Sequence, residues 1–388
     1  MKTFIYSLLV IFIISCSASR PVVEQVSPMQ PTIDKITKQY APDSRTALFQ
    51  VTATGNILKG ETNLPIAKTA LLEQLSNDGF TIIDSIDVLP TLAMEGYHHS
   101  VVNVSVANLR THGRHSAELA TQATLGTPLT LLKFKGGWFQ VQTPDHYISW
   151  VDAGGITLMK ENEFIEWQQM SKIIFIKPFG FAYAKMDAEG ATISDMVYGD
   201  VLAYEDRVGD YFKVRFPDGR MGFLLRSESQ MLKEWAAQRN PTQQNFVETA
   251  KRLTGLPYLW GGTSFKGVDC SGFTKTVFFM NGLVLPRDAS QQAQVGELVS
   301  TQNGWDYLQP GDLLFFGVPA KDGKAERVVH VGMWIGNKEF IHSSKWVRIS
   351  SVDPAAPNFE ESELKRFLYV KRIKPQESLY DFRVKSYY

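Results

Sequence analysis

Charge of one sign is not in excess: 40 basic and 40 acidic residues cancel. The chain therefore carries no electrostatic footprint for nucleic acid. Long apolar runs are missing too. Phe4 to Ile14, interrupted only by Ser7, falls short of the roughly 20 residues that a membrane-spanning helix needs. Behind Lys2 it reads as a secretory signal. Cysteine is scarcest of all, with 2 among 388 residues, Cys16 and Cys270.

The first of these closes the segment "IISC" before Ser17 and resembles the lipobox of bacterial lipoproteins, with Ile13 in place of the usual leucine and Ser15 as the small residue. The resemblance implies a mature chain that begins at a lipidated Cys16, exported and lipid-anchored in the bacterial cell envelope. An acylated Cys16 cannot form a disulfide. Cys270 is then a lone thiol in an exported protein, which marks it as a candidate nucleophile.

With 44% hydrophobic and 12% aromatic residues, the chain can bury ordinary cores, and its length asks for more than one domain. After the signal segment (1–16), residues 17–44 are polar and read as a tether. Residues 45–103 read as a small α/β unit. "TALFQVTA" and "FTIIDSI" are strands, and "NLPIAKTALLEQLSNDG" is a helix capped by Asn63, with Pro65 early and Gly79 just past its end. An internal repeat follows at an offset of 73: "LGTPLTLLKFKGGWFQVQTPDHYISWV" aligns with "YGDVLAYEDRVGDYFKVRFPDGRMGFL". Short strands with Gly and Pro-Asp turns predict two small barrels, at 104–158 and 170–232. Trp138, Trp150, Tyr211 and Phe223 are expected in their cores. Tyr147, opposite Arg220 in the repeat, falls outside the shared pattern and is a contact candidate. The stretch "SQMLKEWAAQRNPTQQNFVETAKRL" predicts a helical linker broken at Asn240 and Pro241. From 242 to 388 the chain reads as one more domain.

In that domain "WGGTSFKGVDCSGFTKTVFFMNG" carries the chemistry. Asp269 can cap a helix with Phe273, Val277 and Phe278 on one face, which puts Cys270 in the first turn. Unpaired N–H groups there are expected to bring a thiol from about 8.5 toward roughly 3.5 to 7.5. Of 7 histidines, five precede the linker. His330 and His342 lie in "RVVHVGMWIGNKEFIHSS", a hairpin pattern with Gly336 and Asn337 at the turn. His330 is the base candidate and His342 can hold its far nitrogen. Paired strand residues share a face, so a two-residue Gly336-Asn337 turn would separate the histidines. An odd connection or a bulge is required. A three-residue turn over 336–338, pairing Ile335 with Glu339 and Gly332 with His342, is the expectation.

The ordered pieces "YLWGG", "DCSGF", "LPRDASQQ", "LQPGDLLFF", "HVGMWIG" and "FIHSS" resemble the NlpC/P60 family of papain-like cysteine peptidases. The "VANLR", "LGTPLTLL", "GGWFQV", "YISWV" order resembles bacterial SH3 domains of cell-wall enzymes, over 105–156 and more weakly over 174–230. The fold this implies is α+β and multidomain: a papain-like NlpC/P60 catalytic domain preceded by two SH3-like β-barrels and a small N-terminal α/β unit. The architecture further resembles enzymes that cut the γ-D-glutamyl–diamino acid bond of murein peptides with a free N-terminal L-alanine. An endolytic murein hydrolase, an amidase or acyltransferase of the same fold, and an inactive wall-binding scaffold are the alternatives.

By this resemblance Cys270 attacks the peptide carbonyl, His330 shuttles the proton and His342 orients it. The Cys270 N–H and the Tyr258 hydroxyl would hold the oxyanion. Asp269, Ser271, Arg287, Asp288 and Ser290 would line the cleft, Arg287 equally well as a structural salt bridge. Asp288 would take the substrate α-ammonium, against a wall carrying Glu118 and Tyr147, although Glu118 fits a solvated loop equally well. Core packing is expected of Trp260, Phe273 and Trp334. Asp312 is given no catalytic part. The expected partners are the murein peptide and, through Cys16, a membrane, but no nucleic acid. No cofactor or metal is called for, and a monomer is expected.

Overall fold

The computed structural model describes residues 27–91, 94, 96–374 and 379–388; the signal segment and Cys16 lie outside them. The N-terminal unit holds α1 (Gln30–Tyr40), the strands β1 (Phe49–Thr54), β2 (Ile57–Thr62) and β3 (Ile83–Val88), and α2 (Pro65–Asn77). The sheet runs β1-β2-β3, with β2 and β3 parallel. Helix α1 corrects the tether expected over 17–44. Met29, Ile33 and Ile36 recur at helical spacing and are buried against Leu71, Leu75 and Leu58 in one core. Asn63 does not cap α2, whose N-cap is Leu64. Its side-chain oxygen accepts instead from the Leu48 N–H at 2.8 Å, joining the helix entry to β1.

Two seven-stranded antiparallel sheets follow. The first contains β4 (Tyr97–Val102), β5 (Val106–Arg110), β6 (Leu119–Thr124), β7 (Pro128–Lys135), β8 (Trp138–Gln142), β9 (Ile148–Asp152) and β10 (Ile156–Lys160). After α3 (Glu161–Gln169), the second contains β11 (Lys172–Phe175), β12 (Phe179–Tyr183), β13 (Thr192–Val197), β14 (Val201–Val208), β15 (Tyr211–Arg215), β16 (Met221–Leu225) and β17 (Ser229–Met231). The strand orders β10-β4-β7-β8-β9-β5-β6 and β17-β11-β14-β15-β16-β12-β13 are the same topology. Every strand after the first pair begins at the offset of 73 seen in the sequence, as Val106 and Phe179 or Trp138 and Tyr211 do. The first sheet begins at Tyr97 and ends at Lys160, so it is longer at both ends than the expected 104–158, and the α/β unit ends earlier than 103. Trp138 is buried, whereas Trp150, Tyr211 and Phe223 are only half-buried. Leu125 of the first unit enters the core of the second, and Leu125 and Val197 donate to the buried carboxylate of Asp200. The two units are thereby packed as a pair.

The helical linker breaks where Asn240 and Pro241 predict, between α4 (Leu232–Ala237) and α5 (Gln243–Arg252). The last domain has short hairpin strands β18 (Thr263–Ser264) and β19 (Gly267–Val268), the helix α6 (Cys270–Met280), β20 (Leu283–Val284) and α7 (Ala289–Gln292). Its sheet follows with β21 (Glu297–Val299), β22 (Leu313–Val318), β23 (Arg327–Gly336), β24 (Glu339–Ser344) and β25 (Trp346–Ser351), then α8 (Glu361–Leu364) and β26 (Phe367–Arg372), ordered β21-β26-β22-β23-β24-β25. β27 (Tyr380–Asp381) returns to pair with β20. Phe273, Val277 and Phe278 of α6 are fully buried with Val331, Met333 and Ile341 of the sheet. That core fixes the position of the helix tip.

Candidate active site

Asp269 caps α6 by accepting from the Gly272 N–H at 2.7 Å, and Cys270 is the first helical residue. Gly272 lets the tip approach the preceding loop, since a Cβ there would lie 1.9 Å from the Gly262 carbonyl oxygen. Burial pushes the Cys270 thiol up to about 12, and the Asp269 carboxylate adds to the rise. The Val331 and Ser271 N–H groups and Arg287 pull the other way. The expectation of a lowered thiol is therefore reversed: the helix N-terminus is outweighed by removal of the sulfur from water.

His330 Nε2 lies 2.8 Å from His342 Nδ1, and His342 Nε2 lies 3.1 Å from Ser350 Oγ, which also accepts from Arg348 Nη1 at 2.8 Å. Arg348 is paired in turn with Glu360. Burial presses His330 down to about 4, against the carboxylate of Glu363, whose Oε1 is 3.8 Å from its Nε2. His342 is also held well below its usual range by burial and by His330. The hairpin delivers this pairing by a bulge. Met333 pairs with Ile341 and Trp334 with Phe340, but Gly336 pairs with Glu339, leaving Ile335 as the extra residue. The turn is the two residues Asn337 and Lys338, both with positive φ. The expected three-residue turn over 336–338 is thus corrected, while the odd count it served is met. Both histidines share the sheet face of Phe316 and Phe340, opposite the face packed on α6. Cys270 reaches the cavity of His330 because it sits at the helix tip. They line one cavity of about 250 Å³ with Tyr258, Val329, Lys345, Glu363 and Arg366.

Arg287 is 1% exposed and bridges three elements: it meets Asp269 at 2.6 and 3.2 Å, Ser271 Oγ at 3.0 Å and Thr121 Oγ1 of β6 at 3.1 Å. Asp288 caps α7, and its Oδ2 accepts from the Tyr147 hydroxyl at 3.1 Å and from Arg45 Nη1 at 2.8 Å. Arg45 also reaches Ser290 Oγ at 3.0 Å. Tyr147 is buried, and its hydroxyl crosses the seam to Asp288. Glu118 is exposed and no side-chain hydrogen bond joins it to Asp288 among the described residues; its carbonyl accepts from the Thr111 N–H and hydroxyl. Phe273 and Trp334 are buried, but Trp260 is 62% exposed, which corrects its core assignment. The adjoining Gly261, at positive φ, packs so close to Leu119 that a Cβ would stand 2.2 Å from its carbonyl oxygen. Asp312 is buried on Arg372, away from the thiol cavity. Sequence reasoning missed Arg45, Thr121, Lys345, Glu363 and Arg366, none of which lies in a recurring motif.

A capped helix tip bearing a thiol, beside a hydrogen-bonded histidine pair on a sheet, is the layout of a cysteine hydrolase. Residues 255–363 match the NlpC/P60 family model and residues 109–156 match the bacterial dipeptidyl-peptidase SH3 domain. A γ-D-glutamyl-L-lysine dipeptidyl-peptidase of Bacillus cereus is 30% identical over 247 residues, covering 61% of this chain and 71% of that protein. Dipeptidyl-peptidase 6 of Lysinibacillus sphaericus is 25% identical, over 68% of this chain and 95% of its own. The crystal structure of an NlpC/P60 family protein from Bacillus cereus aligns with a TM-score of 0.58 at 24% identity, over 71% of this chain and all of that one. The chain belongs to the NlpC/P60 family of peptidoglycan peptidases, and it is a cysteine peptidase.

Proposed function

We infer that this enzyme hydrolyses the γ-D-glutamyl–diamino acid bond of murein peptides carrying a free N-terminal L-alanine. The observation that carries this reading is the Tyr147–Asp288 bond, by which the first sheet closes the cleft around a carboxylate. Oδ2 is taken by Tyr147 and Arg45, and Oδ1, 4.0 Å from Arg287 Nη1 on a side chain 26% exposed, is the oxygen left for an α-ammonium. The Cys270 sulfur attacks the γ-carbonyl carbon as its proton passes to His330 Nδ1. The Cys270 N–H and the Tyr258 hydroxyl receive the oxyanion, each donor worth on the order of 3 kcal/mol. His330 returns the proton to the departing amine, and water then releases the acyl dipeptide. For Nδ1 to accept, His330 Nε2 carries hydrogen and donates to His342 Nδ1, while His342 Nε2–H donates to Ser350. Arg287 acts through Asp269 and Ser271 to fix the helix cap, and Ser290 holds Arg45 beside Asp288.

The second sheet shares the topology of the first, which supports reading both as SH3-like barrels. Lipid anchoring through Cys16 in the cell envelope is part of the proposal and rests on the "IISC" segment; a Cys16→Ser variant that still partitions into detergent would refute it. The bond assignment is tested by product analysis on L-Ala-γ-D-Glu-L-Lys, its N-acetylated form and intact murein. Release of L-Ala-D-Glu from the free peptide alone is expected. Equal cleavage of the N-blocked peptide would favour an endolytic hydrolase.

A further inference from the structure

The cavity around Cys270 has an end that the acyl dipeptide does not use. Tyr147, Asp288 and Arg45 lie outside the lining of the cavity that holds Cys270 and His330, which is bounded by the last domain alone. An acyl chain that runs from Asp288 to the sulfur leaves its amine on the side of Ser344, Lys345, Glu363 and Arg366. Two cations, Lys345 and Arg366, line this end with one carboxylate, Glu363, while Arg348 and Glu360 stand outside its lining. Arg348 is paired with Glu360, and Arg366 meets Glu363 through two bonds of 2.6 and 2.8 Å. Among the described residues Lys345 forms no salt bridge; its charge is felt by the Glu360 carboxylate, which Arg348 already holds, so the group keeps one positive charge in excess.

Its placement is built rather than loose. Lys345 alone joins β24 to β25, since Ser344 pairs directly with Trp346. Its φ of 67 lies in the left-handed region, which costs a side-chain-bearing residue free energy and persists where neighbours enforce it. Here the enforcing contact is the Tyr258 N–H, which donates to the Lys345 carbonyl at 3.0 Å. The lysine backbone is thereby tied to the residue proposed to hold the oxyanion.

We propose that Lys345, with Arg366 beside it, forms a leaving-side subsite for a carboxylate on the diamino acid product, and so selects substrates that present one there. Val329, 39% exposed in the same cavity, offers apolar contact to the aliphatic part of that residue. The carboxylate can be the α-carboxylate of a peptide ending at the diamino acid, or the side-chain carboxylate of meso-diaminopimelate. This assignment rests on the bond proposed above.

The test measures kcat/KM for L-Ala-γ-D-Glu-L-Lys, its C-terminal amide, and the meso-diaminopimelate peptide as its α-amide. The free acid is expected to exceed the lysine amide by about fivefold to tenfold, an advantage carried in KM and reduced by salt, as a partly exposed charge contact should be. In Lys345→Gln the acid-to-amide ratio falls toward one, and in Lys345→Glu it inverts. If the diaminopimelate amide matches the free acid, the subsite takes either carboxylate; if it matches the lysine amide, the α-carboxylate alone is read; and if it exceeds both lysine peptides while these are equal, the side-chain carboxylate alone is read. Equal cleavage of all three by the unmodified enzyme, or a ratio indifferent to both variants, overturns the subsite while leaving the bond assignment standing. No cleavage of any of them overturns the bond assignment and the subsite with it.

Discussion

Arg45 and Asp288 are 243 positions apart, yet Nη1 of the first stands 2.8 Å from Oδ2 of the second. Asp43 grips the same guanidinium at 2.8 Å through Nε and through Nη2, and Gln291 of α7 donates to Asp43 at 2.8 Å. The Arg45 carbonyl and the Thr46 carbonyl accept from Ile148 and Gln142 of the first sheet. The segment 43–46 is therefore a wedge between that sheet and α7. Arg45 is shared between the Asp43 and Asp288 carboxylates, so one cation ties the wedge to α7.

Losing a hydrogen-bonded charge costs about 1.5 to 3 kcal/mol. Asp288→Ala is accordingly expected to lower kcat/KM on L-Ala-γ-D-Glu-L-Lys by about tenfold to a hundredfold and to narrow the preference over the N-acetylated peptide. Arg45→Ala should act in the same direction but by only about twofold to fivefold, because Arg45 is partly exposed and acts through Asp288. Steady-state kinetics on both peptides checks each. An Asp288→Ala enzyme with undiminished discrimination would remove Asp288 from ammonium recognition.

Acid should destabilise this protein through its buried histidines. His330 titrates near 6.5 when unfolded and near 4 when folded, so the folded state takes up its proton later. Stability from this group is complete above about 6.5, declines as pH falls toward 4, and declines no further below. A shift of that size corresponds to about 3 kcal/mol. Urea unfolding at stepped pH should show the slope, and His330→Gln should flatten it. An equal slope in the variant would place the effect elsewhere.

Because burial holds the thiol near 12 and the imidazole near 4, the resting pair is neutral. Alkylation of Cys270 by iodoacetamide is expected to be slow between about pH 6 and 8 and to climb steadily above 9, as the thiolate forms. A fast plateau with a midpoint below 7 would instead show a thiolate–imidazolium pair already present at rest.

What the sequence displays is local or periodic. The repeat at 73 is legible because paired barrels place Gly, Pro-Asp and aromatic residues at matching turns and strands, and the structure starts its strands at that same spacing. The Cys270 cap is legible because Asp269 and Gly272 satisfy a helix terminus within four residues. Helix α1 was obscured by its polar face, although Met29, Ile33 and Ile36 carry the period. Arg45 reaching Asp288, Thr121 reaching Arg287, and Glu363 approaching His330 leave no trace in local pattern. Each is a contact between segments distant in the chain, created when the units dock or, for Glu363 and His330, when the last domain closes on itself. The thiol's rise was hidden for a related reason, since the first turn is visible in sequence and the burial around it is not.

The bulge at Ile335 makes the histidine pair depend on a glycine. With Ile335 set aside, Met333 faces Ile341, and Gly332 comes opposite His342. A Cβ on Gly332 would lie 2.8 Å from Phe340 Cδ2 and 3.3 Å from His342 Cβ. The first distance is too short for any packed core, so Phe340 or the strand must move, and His342 is tilted against the 2.8 Å bond it makes with His330. Gly332→Ala is thus expected to lower kcat by about tenfold or more, since the proton shuttle loses its orientation, while KM changes little because neither Asp288 nor Lys345 is disturbed. Overpacking should also cost about 1 to 3 kcal/mol of stability, so kinetics must be read at a temperature where the variant is folded. A variant that loses stability but keeps kcat would show that His330 does not need His342, and the pairing delivered by the bulge would then be architectural alone.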